Sequence, residues 1–352
     1  MGPWDIALVV AAFSGVAILM SWENARRRRR VQGWAGLAQR LGLRFFRGGL
    51  IASPRLEGNF EGVQLRLAVD QTDDSSDYIT YIEAAPAPPM TARWDPAFKV
   101  AQKSGATKAV ATWIGEICTT GDREFDERFR VQGDAVICRA ILGPSVRRTI
   151  ARIGAVVSAG KVRVRADEVA SDLEALEFLL RSAASVAREI SVRSLEPARA
   201  LARNATEEES ADLRLASFEA LCAQFPKELA THTVATKALS DASPDLRAEA
   251  ALFVQPAEER HLESAVADAM VALPRRVRAL RALMARLENS QIENILTRVS
   301  DKRALLDALP STDAASRRAA ARLSALAEGE RGRLTFDEPG PQGRLSEPES
   351  DR

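Results

Sequence analysis

Apolar and polar positions along this chain follow three successive rhythms. The first is an unbroken apolar run, residues 6–22, IALVVAAFSGVAILMSW. As a helix rising about 1.5 Å per residue it covers roughly 26 Å, slightly under a hydrocarbon core of about 30 Å. The run therefore predicts one transmembrane helix. Trp4 and Trp22 stand near its ends, where indole rings favour the headgroup layer. Arg26, Arg27, Arg28, Arg29 and Arg30 follow at once, whereas Asp5 is the only charged side chain before the run. Positive flanks stay on the cytoplasmic side. The expected topology is a single pass with the N-terminus outside and the bulk cytoplasmic, and the arginine block is also placed to grip anionic lipid. A cleaved secretory signal would carry these features in the opposite order.

The second rhythm has period two. Residues 55–60 and 63–69 flank Glu61-Gly62, a two-residue hairpin turn. Val63, Leu65, Leu67 and Val69 alternate with Gln64, Arg66 and Ala68, as a half-buried strand requires. Residues 78–83 form a third strand candidate, which the proline-rich stretch 85–89 should end. Residues 98–101 and 110–118 are further candidates. The segment 120–134, TGDREFDERFRVQGD, combines a helix start at Gly121-Asp122 with Phe125 and Phe129 on one helical face. An extended piece follows at Val131, then a helix over roughly 135–152 and a hairpin turning at Gly160. Residues 172–190 predict a long helix with Leu173, Leu176, Leu180, Ala183, Ala187 and Ile190 along one side.

The third rhythm is helical and repeats. Asp212-Leu213-Arg214 is echoed by Asp245-Leu246-Arg247, and the arginine recurs as Arg278 and again as Arg318. Alanine-rich helices follow each copy, with a second helix between copies. Pro226, Pro244, Pro274 and Pro310 fall near helix starts. Periods of roughly 30–40 residues, built from helix pairs, predict a solenoid. Residues 329–352 are rich in proline and glycine and predict a disordered tail. The expected organisation is an anchor with its basic flank over 1–31, an α+β domain over 32–194, helical repeats over 195–328 and the tail.

Composition narrows the function. The 352 residues carry 49 basic and 48 acidic side chains, so no polyanion is implied as the main partner and nucleic-acid binding is not expected. Cys118, Cys138 and Cys222 have no CxxC spacing, which argues against a zinc site and a disulfide scaffold. His232 and His261 are too far apart for an HExxH-type site. No phosphate-binding loop, nucleophile elbow or dinucleotide fingerprint occurs. No catalytic, cofactor-binding or metal-ligating residue is assigned. Asp122, Glu124, Asp126, Glu127 and Asp134 make the one acidic cluster, interleaved with Arg123, Arg128 and Arg130; a capped helix accounts for it better than a site. Arg275, Arg278 and Arg286 form a candidate strip for an acidic partner or for phosphates.

Two resemblances attach to these residues. The D-L-R pattern over 210–328 resembles HEAT-like repeats, the helix-pair solenoids of many scaffold proteins. Gly121, Asp122, Phe125, Asp126, Phe129 and Val131 resemble a G-D-x-x-F-D-x-x-F-x-V signature of uncharacterised bacterial membrane-anchored proteins, over about 35–190. That resemblance implies a domain of unknown function. The sequence thus predicts an α+β domain followed by an all-α HEAT-like solenoid, preceded by one transmembrane helix in a bacterial inner membrane. Its expected role is a non-enzymatic adaptor that binds a protein partner through the repeats, without cofactor. The alternative is an enzyme with its site in residues 60–190.

Overall fold

The computed structural model describes residues 32–48, 53–71, 78–86, 97–103, 116–167, 169–254 and 259–309. The chain forms two compact units that divide between Ala230 and Thr231.

The first unit is built on an antiparallel sheet of nine strands among the described residues. They are β1 (Arg44–Phe46), β2 (Arg55–Phe60), β3 (Val63–Gln71), β4 (Tyr78–Pro86), β5 (Lys99–Gln102), β6 (Ile117–Cys118), β7 (Phe129–Gln132), β8 (Val156–Ser158) and β9 (Lys161–Arg165). Their order across the sheet is β1-β2-β3-β4-β9-β8-β5-β7-β6. The β2–β3 hairpin turns at Glu61 and Gly62, both at positive φ, 50° and 80°. This mirror-image turn matches the twist of the strands it joins. The register then runs two different rows across the sheet. Leu56, Leu67, Ile82 and Val164 lie opposite one another and are buried. One residue along, Arg44, Glu57, Arg66, Glu83 and Arg163 alternate in charge on the other face. Burial pushes the Glu83 carboxyl up, but Arg163, Lys161 and Arg66 outweigh it and hold the group below the usual carboxylate range.

The buried face packs against α5 (Leu173–Leu195), whose start is capped by Asp172 accepting from Glu174 N and Ala175 N. Leu176, Leu180, Ala183, Ala187 and Ile190 form its buried stripe. Beside it, α1 (Trp34–Leu41) inserts Trp34, whose indole N–H donates to Ala170 O at 3.1 Å. Between the strands lie α2 (Arg123–Arg128), α3 (Ala135–Ile141) and α4 (Pro144–Ile153). The single helix expected over 135–152 is two, because Pro144 lacks the N–H that would continue α3 and instead opens α4. Gly143 sits at that break, where a Cβ would meet Arg193 Nη1 at 2.5 Å and Asn204 Oδ1 at 2.6 Å. Beyond α5, α6 (Pro197–Glu207) and α7 (Ala211–Gln224) pack on α3, so the first copy of the D-L-R repeat belongs to the sheet-bearing unit.

Helix α8 (Leu229–Ala238) spans the division. The second unit continues with α9 (Pro244–Phe253), α10 (Glu259–Ala267), α11 (Leu273–Met284), α12 (Asn289–Thr297) and α13 (Lys302–Asp307). From α9 to α11, each helix packs against the next two. Leu262, Val266, Leu280, Leu283, Ile295 and Leu305 are among the core they share.

The predicted fold class needs a correction. No helix among the described residues is long and apolar enough to cross a membrane, so a preceding transmembrane helix has no support in the structure. The longest, α5, has 23 residues but carries Glu174, Glu177, Arg181, Arg188, Glu189 and Arg193, and buries one stripe rather than its whole circumference. Residues 6–22, the block Arg26 to Arg30 and the tail 329–352 lie outside the described residues.

Trp34 joins α1 to the sheet core through both packing and its indole hydrogen bond. Trp34→Ala should destabilise the first unit by about 3–5 kcal/mol, read as an earlier urea midpoint for the loss of circular dichroism.

Candidate functional site

The acidic motif folds into a closed set of bonds. Asp122 caps α2: Oδ1 accepts from Phe125 N at 3.2 Å, while Oδ2 accepts from Arg147 Nε at 2.9 Å. Asp126 ties the preceding turn. Its Oδ1 accepts from Thr120 N and Thr120 Oγ1, and its Oδ2 from Gly121 N at 2.9 Å. Gly121 has φ +84°, and a Cβ there would meet Leu213 Cδ2 at 2.8 Å. Phe125 and Phe129 stack at 4.7 Å, both buried, but they do not share a helical face as expected: α2 ends at Arg128 and Phe129 opens β7 with extended backbone. Asp134 caps α3 by accepting from Val136 N and Ile137 N, and Glu127 pairs with Arg123 at 2.8 Å.

Arg147, on α4, is the centre of this region. Its Nη1 and Nη2 each donate to a separate oxygen of Glu208, both at 2.9 Å, and Nη1 also donates to Leu142 O at 2.7 Å. Arg147 and Glu208 are each only 5 % exposed. Burial works against the guanidinium charge, but Glu208 and Asp122 more than offset it and hold the group charged above its ordinary range. Of the acidic cluster, Asp122 and Asp134 are helix caps, Asp126 staples a turn, Glu127 is an ion-pair partner, and Glu124 is exposed in the first turn of α2. Among the described residues, no three His, Cys, Asp or Glu side chains converge as a metal site would require.

The arginine strip resolves differently. Arg275 lies 3.5 Å from Asp245 Oδ1 and 3.5 Å from Glu249 Oε2. Arg278 donates through both terminal nitrogens to Glu249. Arg286 stands exposed beyond the end of α11. The structure thus brings Arg275 and Arg278 together on Glu249 and leaves Arg286 apart from them.

The repeat itself organises a better candidate. Arg214 donates to Glu208 O and Glu209 O, and Arg247 donates to Asp241 O and Ala242 O. Each lies four residues past its N-cap, Ser210 or Ser243, and ties down the loop that leads into its helix. The same position of α11, four past the N-cap Ala272, is Arg276 rather than Arg278. Arg276 is buried, donates to Val266 O at 3.0 Å and forks onto both oxygens of Asp301 at 2.7 and 2.6 Å. Sequence reading missed it by counting between arginines instead of from helix starts.

One corner of the second unit is held from both sides by a repeat copy. Between α10 and α11, Ala272 N donates to Asp245 Oδ1 at 2.7 Å, and Met270 N donates to Asp268 Oδ1 at 2.9 Å. Asp268 is itself held by Arg247 at 3.2 Å. This braced corner projects Met270, 79 % exposed, with Leu273 also exposed. Arg275 and Arg278, paired with acidic partners, stand two and five residues beyond Leu273 on the same helix.

No family model matches the chain, and neither a curated protein nor a solved structure is significantly similar to it.

Glu208→Leu should cost about 3 kcal/mol, because it removes the buried partner of both terminal nitrogens of Arg147 and leaves Asp122 to answer the charge. Adding Arg147→Met should recover at least about half of that loss in urea denaturation. The Asp301 carboxyl is held below the usual carboxylate range, chiefly by its hydrogen bonds from Arg276. Its contribution is present above the ordinary carboxylate pKa of about 4 and is lost as pH falls through the lower folded value. Arg276→Met should therefore flatten the acid limb of the second unit's stability-against-pH curve.

Proposed function

We propose that the protein is a non-catalytic adaptor that docks a protein partner on its C-terminal helical repeats. The observation that carries this reading is the braced corner bearing Met270 and Leu273. A single exposed apolar side chain is ordinary on a protein surface. This one differs in its support: Asp245, Arg247 and Asp268 fix the backbone on which it is presented. A fixed backbone lowers the ordering cost of association. A methionine suits an apolar pocket of imperfect shape, since its unbranched thioether adapts to irregular gaps. The paired charges of Asp245, Glu249, Arg275 and Arg278 on α9 and α11 give the patch a polar border, the arrangement common at protein interfaces.

The reading also draws support from where the acidic motif spends its oxygen atoms. Asp122 and Asp126 hold a helix start and a turn, which fits a scaffold better than an acid–base pair. No cofactor is invoked.

A photo-crosslinking residue placed at position 272 in the otherwise intact chain should capture a defined partner in cells. Met270→Asp in that chain should reduce the adduct by about tenfold or more, as expected for a central interface residue. Unchanged helical circular dichroism would exclude misfolding as the cause. Equal adduct yield with and without Met270→Asp would remove the corner from the interface, and with it this reading.

A further inference from the structure

Two cysteines take no part in the docking reading. Cys118 lies on β6, at the end of the sheet, and Cys138 lies on α3. Their thiols meet beside Gly133. Cys118 Sγ donates to Gly133 O at 2.9 Å. Cys138 Sγ lies 3.0 Å from the point where a Cβ on Gly133 would stand. Both sulfurs thus lie against the same residue, one from β6 and one from α3. Gly133, at φ +142°, is what allows this approach, since any side chain there would press on Cys138. Both cysteines are unbridged and buried, whereas Cys222 on α7 is only half-buried.

We propose that Cys118 and Cys138 are a site of intramolecular disulfide formation, closed by a small-molecule disulfide of the glutathione type. The Cys118 thiolate attacks one sulfur of the oxidant, whose S–S bond breaks and releases one thiolate. The Cys138 thiolate then attacks the Cys118 sulfur of the mixed disulfide and releases the second. The protein loses two electrons and two protons; the oxidant gains both and leaves as two thiols. Cys118 attacks first because it is the less buried of the two and sits on a two-residue strand whose described pairing is with β7 alone. The bond would latch the sheet edge onto α3. Because Cys118 is two residues before Thr120, it would also anchor the turn that Asp126 staples.

Burial pushes the Cys118 thiol above its ordinary range, with Glu116 and Asp134 adding to the effect and Cys138 and Arg139 opposing it without cancelling it. Thiolate is then scarce near neutrality, and closure should be slow there and accelerate as pH rises.

The test uses the full-length chain carrying Cys222→Ser, equilibrated with oxidised and reduced glutathione, alkylated and mapped by mass spectrometry. The expected result is joint loss of both thiols and a peptide pair linked through Cys118 and Cys138. The folded chain should close at an oxidant level about tenfold or more below that needed by the same chain in urea, because folding raises the effective concentration of one thiol at the other. In a Cys138→Ser chain, glutathione should accumulate on Cys118. Separate glutathione adducts on both cysteines of the Cys222→Ser chain would overturn the proposal. So would two alkylated thiols under oxidising buffer, or closure no easier than in urea.

Discussion

A guanidinium in a protein interior is tolerable only when its charge and its donors are all answered. Arg147 meets that condition by drawing on four separate parts of the first unit. Asp122 brings the start of α2, Leu142 the end of α3, Glu208 the end of α6, and the arginine itself stands on α4. None of these contacts is strong evidence of net stability, since the desolvation of an ion pair offsets much of its attraction. What they impose is arrangement: an alternative packing of these helices would leave Arg147 or Glu208 buried and unpaired. Nearby polar bonds repeat the demand. Arg193 donates to Asn204 Oδ1, Asn204 donates to Arg139 O, and Arg139 donates to Ala216 O. Helices α6 and α7 are thus bound to α3 by bonds of fixed direction as well as by apolar contact.

Glu208 has a second role that extends this constraint into the repeat. Its side chain answers Arg147, and its backbone carbonyl answers Arg214, the arginine of the first D-L-R copy. The first repeat copy therefore shares a residue with the sheet-bearing unit's buried charge network. Together with the packing of α6 and α7 on each other and on α3, this sharing ties the copy to the sheet-bearing unit, past the point where strand signals cease.

Period-two and period-3.6 signals were legible wherever one face of an element is buried and the other is wet. The β2–β3 hairpin could be read to the residue because Glu61-Gly62 permits the mirror-image turn and Val63, Leu65 and Leu67 alternate with polar neighbours. Helix α5 was legible from its leucine and alanine stripe. The break at Pro144 was readable in principle, because proline ends a helix wherever it falls inside one. The Arg147–Glu208 pair was not: its members stand far apart in the chain, on either side of α5, and no local pattern marks two charges that will meet. In the motif 120–134 the cap at Asp122 was legible, but the helix stops at Arg128 and leaves Phe129 to β7, and the destination of Asp122 Oδ2 depends on the equally non-local Arg147. Arg276 was hidden for a different reason. Its equivalence to Arg214 and Arg247 is one of helix position, and the stretch from the N-cap Ser243 to the N-cap Ala272 is shorter than the stretch from Ser210 to Ser243.

That variable spacing bears on how the repeats could serve a partner. The arginine four residues past each N-cap faces backward, onto the loop leading into its helix or, for Arg276, onto Val266 O. Two of the three also reach an aspartate further along the chain, Arg247 to Asp268 and Arg276 to Asp301. The two corners marked by Asp268 and Asp301 are consequently braced by the copy before them. Bracing of this kind separates two properties that loops usually trade against each other. The length and sequence of a corner can vary, as binding surfaces require, while its backbone remains fixed by charged bonds on its inner side. Met270 sits on the outer side of such a corner. Its exposure is therefore a property the fold maintains, since Asp268 holds its amide and Arg247 holds Asp268.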